Sequence, residues 1–152
     1  MSTLHLMIGL PCSGKTTLAR KLEKEYDALL LTPDVWHLKL FGNDIQDEGH
    51  DRNHDNIESI MWDVCARVLQ LGIDIILDFG CWARVERDDF RKRASGIGAN
   101  FRIHYLDVSK DELFRRLEER NKQQLDGVFE IPRESMERYM EIFQPPTPDE
   151  LV

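Results

Sequence analysis

The stretch that decides the fold is Gly9-Leu10-Pro11-Cys12-Ser13-Gly14-Lys15-Thr16. It matches the phosphate-binding loop (P-loop) pattern G-x-x-x-x-G-K-[ST] at every fixed position. The glycines allow backbone angles that a Cβ would forbid, so that the amide N–H groups can surround the phosphates of a nucleotide. The stretch and the residue after it predict a nucleotide-binding set: Gly9, Cys12, Ser13, Gly14, Lys15, Thr16 and Thr17.

The residues on either side fit the strand–loop–helix context that such a loop requires. Leu4–Ile8 predicts a buried strand, and Lys15–Lys24 predicts a helix with apolar residues on one face. In loops of this kind the lysine contacts the β- and γ-phosphates and the hydroxyl binds Mg²⁺. We therefore expect Lys15 and Thr16 to act on ATP and Mg²⁺. A glycine-rich turn that binds nothing is the alternative.

Composition restricts the class of protein. The chain has 152 residues, of which 41 % are hydrophobic and 32 % charged, as expected for one soluble globular domain over residues 1–152. No run approaches the about 18 apolar residues of a membrane span. A strand that starts at residue 4 leaves no room for a signal peptide, and three cysteines, one of them in the loop, indicate a reducing cytoplasm.

Further along the chain, apolar runs of strand length alternate with segments of helical periodicity. The runs at 28–32, 73–77 and 101–106 predict three more strands, with helices between and after them. The polar, acidic segment 43–55 predicts a mobile loop. This order predicts an α/β fold of the P-loop NTPase type, with a mostly parallel sheet and helices on both faces.

Two aspartates follow predicted strands, at the carboxyl edge where α/β sheets bind their ligands. Asp78 ends the strand at 73–77 and is predicted to bind Mg²⁺ or to orient a substrate hydroxyl. Asp34 follows the strand at 28–32 and is predicted to contact the substrate. Helix capping or hydrogen bonding within a loop is the alternative for both carboxylates.

Several cations could reach an anionic group at the same edge. Arg84 and Arg87 begin the helix that follows Asp78, and Arg116 and Arg120 share one face of a later helix. A solvated charged surface is the alternative for Arg116 and Arg120. The predicted substrate contacts are Asp34, His37, Asp78, Trp82 and Arg87.

His50 and His54 are four residues apart, which is the spacing of a metal-binding pair on one helix face. The sequence near them offers no pattern of a third ligand. We therefore interpret them as solvated histidines at the start of a helix.

The motifs together resemble the small P-loop kinases, which include phage-type polynucleotide 5′-hydroxyl kinases, chloramphenicol phosphotransferase, gluconate kinase and zeta-toxin relatives. The likeness extends over nearly the whole chain. It is carried by the loop at 9–16, Asp34, the strand ending at Asp78, and Arg116 and Arg120 followed by a lid at about 116–135. The chain is also similar to bacterial ATP-binding proteins with the AAA-type domain 33, in which segments like Leu77–Trp82 and Phe143–Glu150 recur.

The resemblance implies a nucleotide-kinase-like domain that moves the γ-phosphoryl group of ATP-Mg²⁺ to a hydroxyl of a small molecule or nucleotide. By position, Asp34 corresponds to the carboxylate that accepts the hydroxyl proton, and Arg116 or Arg120 to the lid arginine on the transferred group. Polynucleotide kinases have an arginine three residues after that aspartate, where this chain has His37.

That departure and the net charge of −8 leave nucleic acid only as a 5′-hydroxyl acceptor. The alternative function is a nucleotide-gated ATP-binding module or slow ATPase that acts through a protein partner. The sequence indicates neither an obligate protein partner nor a membrane contact.

Overall fold

A four-stranded parallel sheet forms the centre of the protein. The computed structural model describes residues 1–43, 45–123 and 129–151. The strands are β1 (Thr3–Ile8), β2 (Leu29–Leu31), β3 (Ile75–Gly80) and β4 (Asn100–Tyr105), in the spatial order β2-β3-β1-β4. Leu4 of β1 lies opposite Ile75 of β3 on one side and Phe101 of β4 on the other. The four predicted strands and their parallel pairing are therefore confirmed.

Helices connect the strands and cover the sheet. In chain order they are α1 (Lys15–Tyr26), α2 (Pro33–Phe41), α3 (His50–Gln70), α4 (Arg84–Gly96), α5 (Lys110–Gln123) and α6 (Arg133–Ile142), followed by a 3₁₀ helix at Pro148–Leu151. Among the described residues, no helix is both long enough and apolar enough to cross a membrane.

Both faces of the sheet are covered, as the continuous apolar strands predict. On one face, side chains of β1 and β3 such as Leu6 and Leu77 pack against α3 and α4. On the other face, Met7 and Ile76 pack against Ala19 of α1. Because residues on both faces are buried, neither β1 nor β3 shows an alternation of polar and apolar side chains.

The strand order brings three chain segments to one edge of the sheet. Since β3 lies between β1 and β2, the carboxyl end of β3 lies between the loop after β1 and the start of α2. Asp78 near the end of β3 is thereby placed between the glycine-rich loop and Thr32, the residue that precedes α2. This topology positions the candidate site.

One predicted loop is partly helical. The loop prediction for 43–55 is wrong from His50 onward, because α3 begins there, with Gly49 as its N-cap residue. The sequence did not indicate this start, because the first turn of α3 is polar. Its histidine His50 packs against His37 of α2 and against Phe129 rather than against the main core.

The lid predicted at about 116–135 is only partly within the described residues. Residues 124–128 lie outside them, as do Asp44 and Val152. The flanking parts form a separate apolar cluster, to which α5, α6 and the segment before α6 contribute Phe114, Leu117, Phe129, Ile131 and Met136.

Candidate active site

The glycine-rich loop turns tightly from β1 into α1. The Gly9 N–H donates to the carbonyl of Gly80, with 3.1 Å between N and O. A Cβ on Gly9 would lie 2.6 Å from Ser13 Oγ, so no larger residue fits without displacement of the loop. Gly14 has a φ of +92° and is the N-cap residue of α1, a backbone conformation that favours glycine. The loop therefore directs unpaired amide groups of the α1 N-terminus toward one point.

Asp78 lies beside this loop with its side chain fully buried. Its Oδ2 accepts a hydrogen bond from Thr16 Oγ1 at 2.7 Å and a longer one from Thr32 Oγ1 at 3.4 Å. Its Oδ1 lies 3.6 Å from Lys15 Nζ and has no hydrogen-bond donor within the described part of the chain. Such an oxygen is costly to bury, and a cation that bound it would remove the cost.

Trp82 packs beside the P-loop and is hydrogen-bonded to it. Its Nε1–H donates to the carbonyl of Gly9 at 3.2 Å, and its ring packs on Tyr139 of α6 with 4.8 Å between centroids. Gly80 makes this approach feasible, since a Cβ there would lie 3.3 Å from Trp82 Nε1. The loop after β3 is thus fixed against the P-loop on one side and α6 on the other.

Two arginines of α5 approach the loop from the lid side. Arg116 Nη1 donates to the carbonyl of Cys12 at 3.1 Å, and Arg120 Nη2 donates to the carbonyl of Phe129 at 2.8 Å. Arg120 Nε is buried without a hydrogen-bond partner among the described residues. Burial raises the pKa of the Cys12 thiol, and the positive charges of Arg120, Lys15 and Arg116 only partly oppose that effect. The structure therefore brings both predicted lid arginines close to the loop.

Asp34 lies in the first turn of α2, after the N-cap residue Thr32. It is therefore not the N-cap residue, which was the alternative interpretation of its position. Its side chain is 45 % exposed, and Oδ1 lies 4.0 Å from His54 Nε2. Thr32, two residues earlier, reaches Asp78. The exposed carboxylate therefore lies at the same edge of the sheet as the loop, where a second substrate can approach it.

The placement of Arg87 argues against the substrate contact predicted for it. Its guanidinium is buried and donates to Glu150 Oε1 at 2.7 Å, to Glu150 Oε2 at 3.3 Å, and to the carbonyls of Cys81 and Trp82 at 3.0 and 3.1 Å. The anionic group that Arg87 binds is thus a carboxylate of its own chain. Arg84 pairs with Asp149 at 2.8 Å in the same region.

His37 also differs from its predicted position in the acceptor pocket. It is only 2 % exposed and contacts aromatic rings on several sides, including those of Phe41 and Phe129. A buried imidazole cannot present its nitrogen to a diffusing acceptor.

Cys81, in the loop after β3, is also buried, and this burial raises the pKa of its thiol well above the ordinary value.

The sequence did not predict three contacts at or near this site. Thr32 supplies a second hydroxyl to Asp78, and its position at the end of β2 was the available signal. Glu150 follows a proline-rich segment, and nothing in the sequence linked it to Arg87. His37, which was predicted to contact the substrate, lies in one cluster with His50 and His54.

Comparisons with known proteins agree with this architecture. The sequence matches the model of the AAA_33 family, described as an AAA domain, over residues 4–146. A protein from Chloroflexus aurantiacus that is provisionally assigned as a kinase has a TM-score of 0.77 at 18 % identity, covering 97 % of this chain and 83 % of that one. No curated protein matches the sequence.

Two further solved structures have similar folds. A chain of the Pnkp1/Rnl/Hen1 RNA repair complex has a TM-score of 0.75 at 22 % identity, with 93 % of this chain matching 43 % of that one. Kti12 from Chaetomium thermophilum, solved with ADP-AlF3, has a TM-score of 0.65 at 18 % identity, covering 96 % of this chain and 82 % of that one. At these identities the likeness shows a shared fold, and it confirms the predicted P-loop sheet.

Proposed function

This chain belongs to the AAA_33 family of P-loop proteins, and on that premise we propose that it is an ATP-dependent phosphotransferase acting on a hydroxyl group. The observation that carries the proposal is the constellation of Thr16, Lys15 and Asp78 beside the glycine-rich loop. The ADP-AlF3 bound to the similar fold of Kti12 supports a nucleotide in this position. The acceptor we propose is a small molecule or a nucleotide.

The residues at the end of β3 fit a magnesium ion. Thr16 supplies a hydroxyl, and Asp78 supplies a buried carboxylate oxygen that lacks a donor. Hard oxygen ligands of this kind are those that Mg²⁺ prefers. When bound, the ion would offset negative charge on the phosphate oxygens. Asp78 would also orient Thr16 and Lys15, which it already contacts.

The chain's own side chains account for the remaining requirements of the transfer. The acceptor oxygen would form a bond to the γ-phosphorus while the bond from that phosphorus to the bridging oxygen breaks, and ADP leaves. Asp34 would orient the hydroxyl and take its proton. Lys15, Arg116 and Arg120 would stabilise the charge that spreads over the equatorial oxygens. Positioning and charge stabilisation suffice for this chemistry, because no covalent intermediate with the protein is needed.

The acceptor pocket is constrained by what surrounds Asp34. Arg87 and His37 are both buried, so neither offers a cation or a ring nitrogen to an acceptor phosphate. The chain also has a net charge of −8. Both features favour a small acceptor of low negative charge over a long polynucleotide. A 5′-hydroxyl oligonucleotide stays in the test because a similar fold occurs in an RNA repair complex.

The test is acceptor-dependent ATP consumption. Purified protein with ATP and Mg²⁺ would be screened against sugars, nucleosides, hydroxylated antibiotics and 5′-hydroxyl oligonucleotides. We expect one class to accelerate ATP consumption and to yield a phosphorylated product by mass spectrometry. If no acceptor accelerates it and a protein partner does, the chain is a nucleotide-gated module and the proposal fails.

The assignment of Asp34 is tested by substitution. Asp34→Asn should keep ATP affinity and lower transfer by about 10²- to 10⁴-fold, the usual contribution of a general base. Lys15→Ala should lose both ATP binding and transfer, because it removes a charge that contacts the phosphates throughout. Asp63→Asn, which changes an exposed aspartate on α3, is the matched control and should behave as wild type. Wild-type transfer by Asp34→Asn would show that another group accepts the proton.

A further inference from the structure

Three histidines from two helices meet beside Asp34. His50 and His54 lie one turn apart in α3, and His37 projects from α2. One ring nitrogen from each residue lies within 4.8 Å of those of the other two. Side chains four residues apart share one face of a helix, so α3 presents two imidazoles to the third.

The spacing of two of these nitrogens is that of metal ligands. His37 Nδ1 and His54 Nδ1 are 3.3 Å apart. Two nitrogens bound to a tetrahedral zinc ion, at 2.0–2.1 Å each, are separated by about 3.3 Å. The same distance is long for a hydrogen bond between two rings. His50 Nδ1 is buried and has no hydrogen-bond partner among the described residues, so one ring of the cluster has an unused nitrogen.

The surroundings of the cluster favour a cation. Carboxylates surround the rings and add negative charge. They are Asp34 and Asp47 near His37, and Asp34, Asp51 and Asp55 near His54.

Carboxyl groups and aromatic rings also contact His54 and His37. His54 Nε2 lies 3.7 Å from Glu58 Oε1 and 4.0 Å from Asp34 Oδ1, so two carboxyl groups lie on the side of the ring away from Nδ1. A carboxylate on that side of the ring is a usual neighbour of a metal-binding histidine. The edges of Phe41 and Phe129 pack against His37 at centroid distances of 5.3 Å each and limit access of water.

We propose that His37, His50 and His54 bind one divalent transition-metal ion of the zinc type. Three imidazoles without a thiolate favour Zn²⁺, Cu²⁺, Ni²⁺ or Co²⁺ over Mg²⁺, which prefers oxygen ligands. The site differs in ligands and in place from Thr16 and Asp78. It leaves a fourth coordination position for water or another oxygen ligand. The inference does not depend on the proposed phosphotransferase activity.

The experiment uses the full chain without a histidine tag, treated with a chelator and then dialysed against Zn²⁺. We expect one zinc per chain by elemental analysis, and a higher melting temperature with zinc than without. Co²⁺ in place of Zn²⁺ should give the intense visible absorption bands of a tetrahedral site. A tenfold excess of Mg²⁺ should not displace either ion.

Variants distinguish this site from incidental binding. His50→Gln and His54→Gln should each weaken zinc binding by more than about tenfold and abolish the cobalt bands, while circular dichroism shows that both remain folded. The control is His104→Gln, which alters a histidine of another pair and should bind zinc as wild type does. Absence of bound zinc in wild type, or equal loss in the His104→Gln control, would overturn the proposal.

Discussion

Asp78 and Arg87 are buried to a similar extent, with 4 % and 1 % of their surface exposed, yet their partners differ. Arg87 donates to both oxygens of Glu150 and to two carbonyls. Asp78 keeps one oxygen that no described residue hydrogen-bonds. Each guanidinium nitrogen of Arg87 therefore has a partner within the chain, whereas the unused oxygen of Asp78 is the observation on which its proposed ligand role rests.

Buried His5 and half-buried His104 form another pair of residues that can change charge. His5 Nδ1 lies 2.9 Å from His104 Nε2, and the rings stack. Burial lowers the pKa of His104 to about 4, assisted by the charges of His5 and Arg102. Burial also lowers the pKa of His5, although Asp74 opposes this. Because His104 is neutral in the folded protein and protonates near pH 6.5 when unfolded, acid favours the unfolded chain.

We therefore predict that the free energy of unfolding falls as the pH decreases from about 6.5 to about 4. The lowered pKa of His104 has no effect on the free energy of unfolding above about pH 6.5, and it destabilises the protein increasingly as the pH falls toward 4. His104→Gln should make this dependence shallower by at most about 1.4 kcal/mol per pH unit, the value for one proton. Urea unfolding at several pH values measures it. Parallel curves for wild type and variant would contradict the assignment.

At the scale of the element, α5 separates its arginines by face. Arg115 is 67 % exposed and pairs with Glu112 one turn away, whereas Arg116 is turned toward the P-loop and donates to Cys12. Arg120, one turn further along the face of Arg116, reaches Phe129. Helical periodicity alone predicts that Arg116 and Arg120 share a face, and the packing of α5 shows that this face is turned toward the P-loop.

We predict that Arg116→Ala lowers phosphoryl transfer by about 10³-fold or more, as expected for an arginine that stabilises the transferred group. Arg115→Ala is the matched control on the same helix and should retain nearly full transfer. Both variants should unfold at nearly the wild-type temperature, because exposed and partly exposed ion pairs contribute little to stability. Steady-state kinetics with the identified acceptor, together with thermal unfolding, tests both statements. Equal effects of the two substitutions would place the lid arginine elsewhere.

At the scale of the whole molecule, the chain end is bound to the middle of the sequence. The Gln144 N–H donates to the carbonyl of Trp82 at 2.9 Å, and Arg91 Nη2 donates to the carbonyl of Glu150 at 3.0 Å. The two segments singled out in the sequence, Leu77–Trp82 and Phe143–Glu150, are thus in direct contact. Segment 143–150 therefore contacts the loop that carries Trp82, and Trp82 in turn hydrogen-bonds to Gly9 of the P-loop.

We predict that Glu150→Ala destabilises the protein by roughly 3–5 kcal/mol, because it leaves the buried guanidinium of Arg87 without its countercharge. Asp149→Ala is the control. It removes an exposed partner of Arg84 one residue away and should leave the free energy of unfolding close to that of wild type. Chemical denaturation measures both. A cost below about 1 kcal/mol for Glu150→Ala would show that water or another group compensates Arg87.

Much of the architecture was predictable because it depends on local pattern. Apolar runs in β1 and β3 indicated buried strands, and the spacing of Gly9, Gly14 and Lys15 indicated the loop between β1 and α1. Asp78 was predicted to end the strand at 73–77, and it lies near the end of β3. The start of α3 at His50 was missed, because a polar first turn lacks the periodicity that predicts a helix.

By itself, the sequence determined the parallel α/β fold, the glycine-rich loop and the edge of the sheet at which polar residues gather. These follow from hydrophobic periodicity and from backbone angles that glycine favours, and both are properties of a short stretch of chain. Only the tertiary structure decided that Arg87 binds Glu150 and that His37 joins His50 and His54. Such pairings join residues that the sequence separates or does not distinguish, and packing alone brings them within reach of a hydrogen bond or an ion.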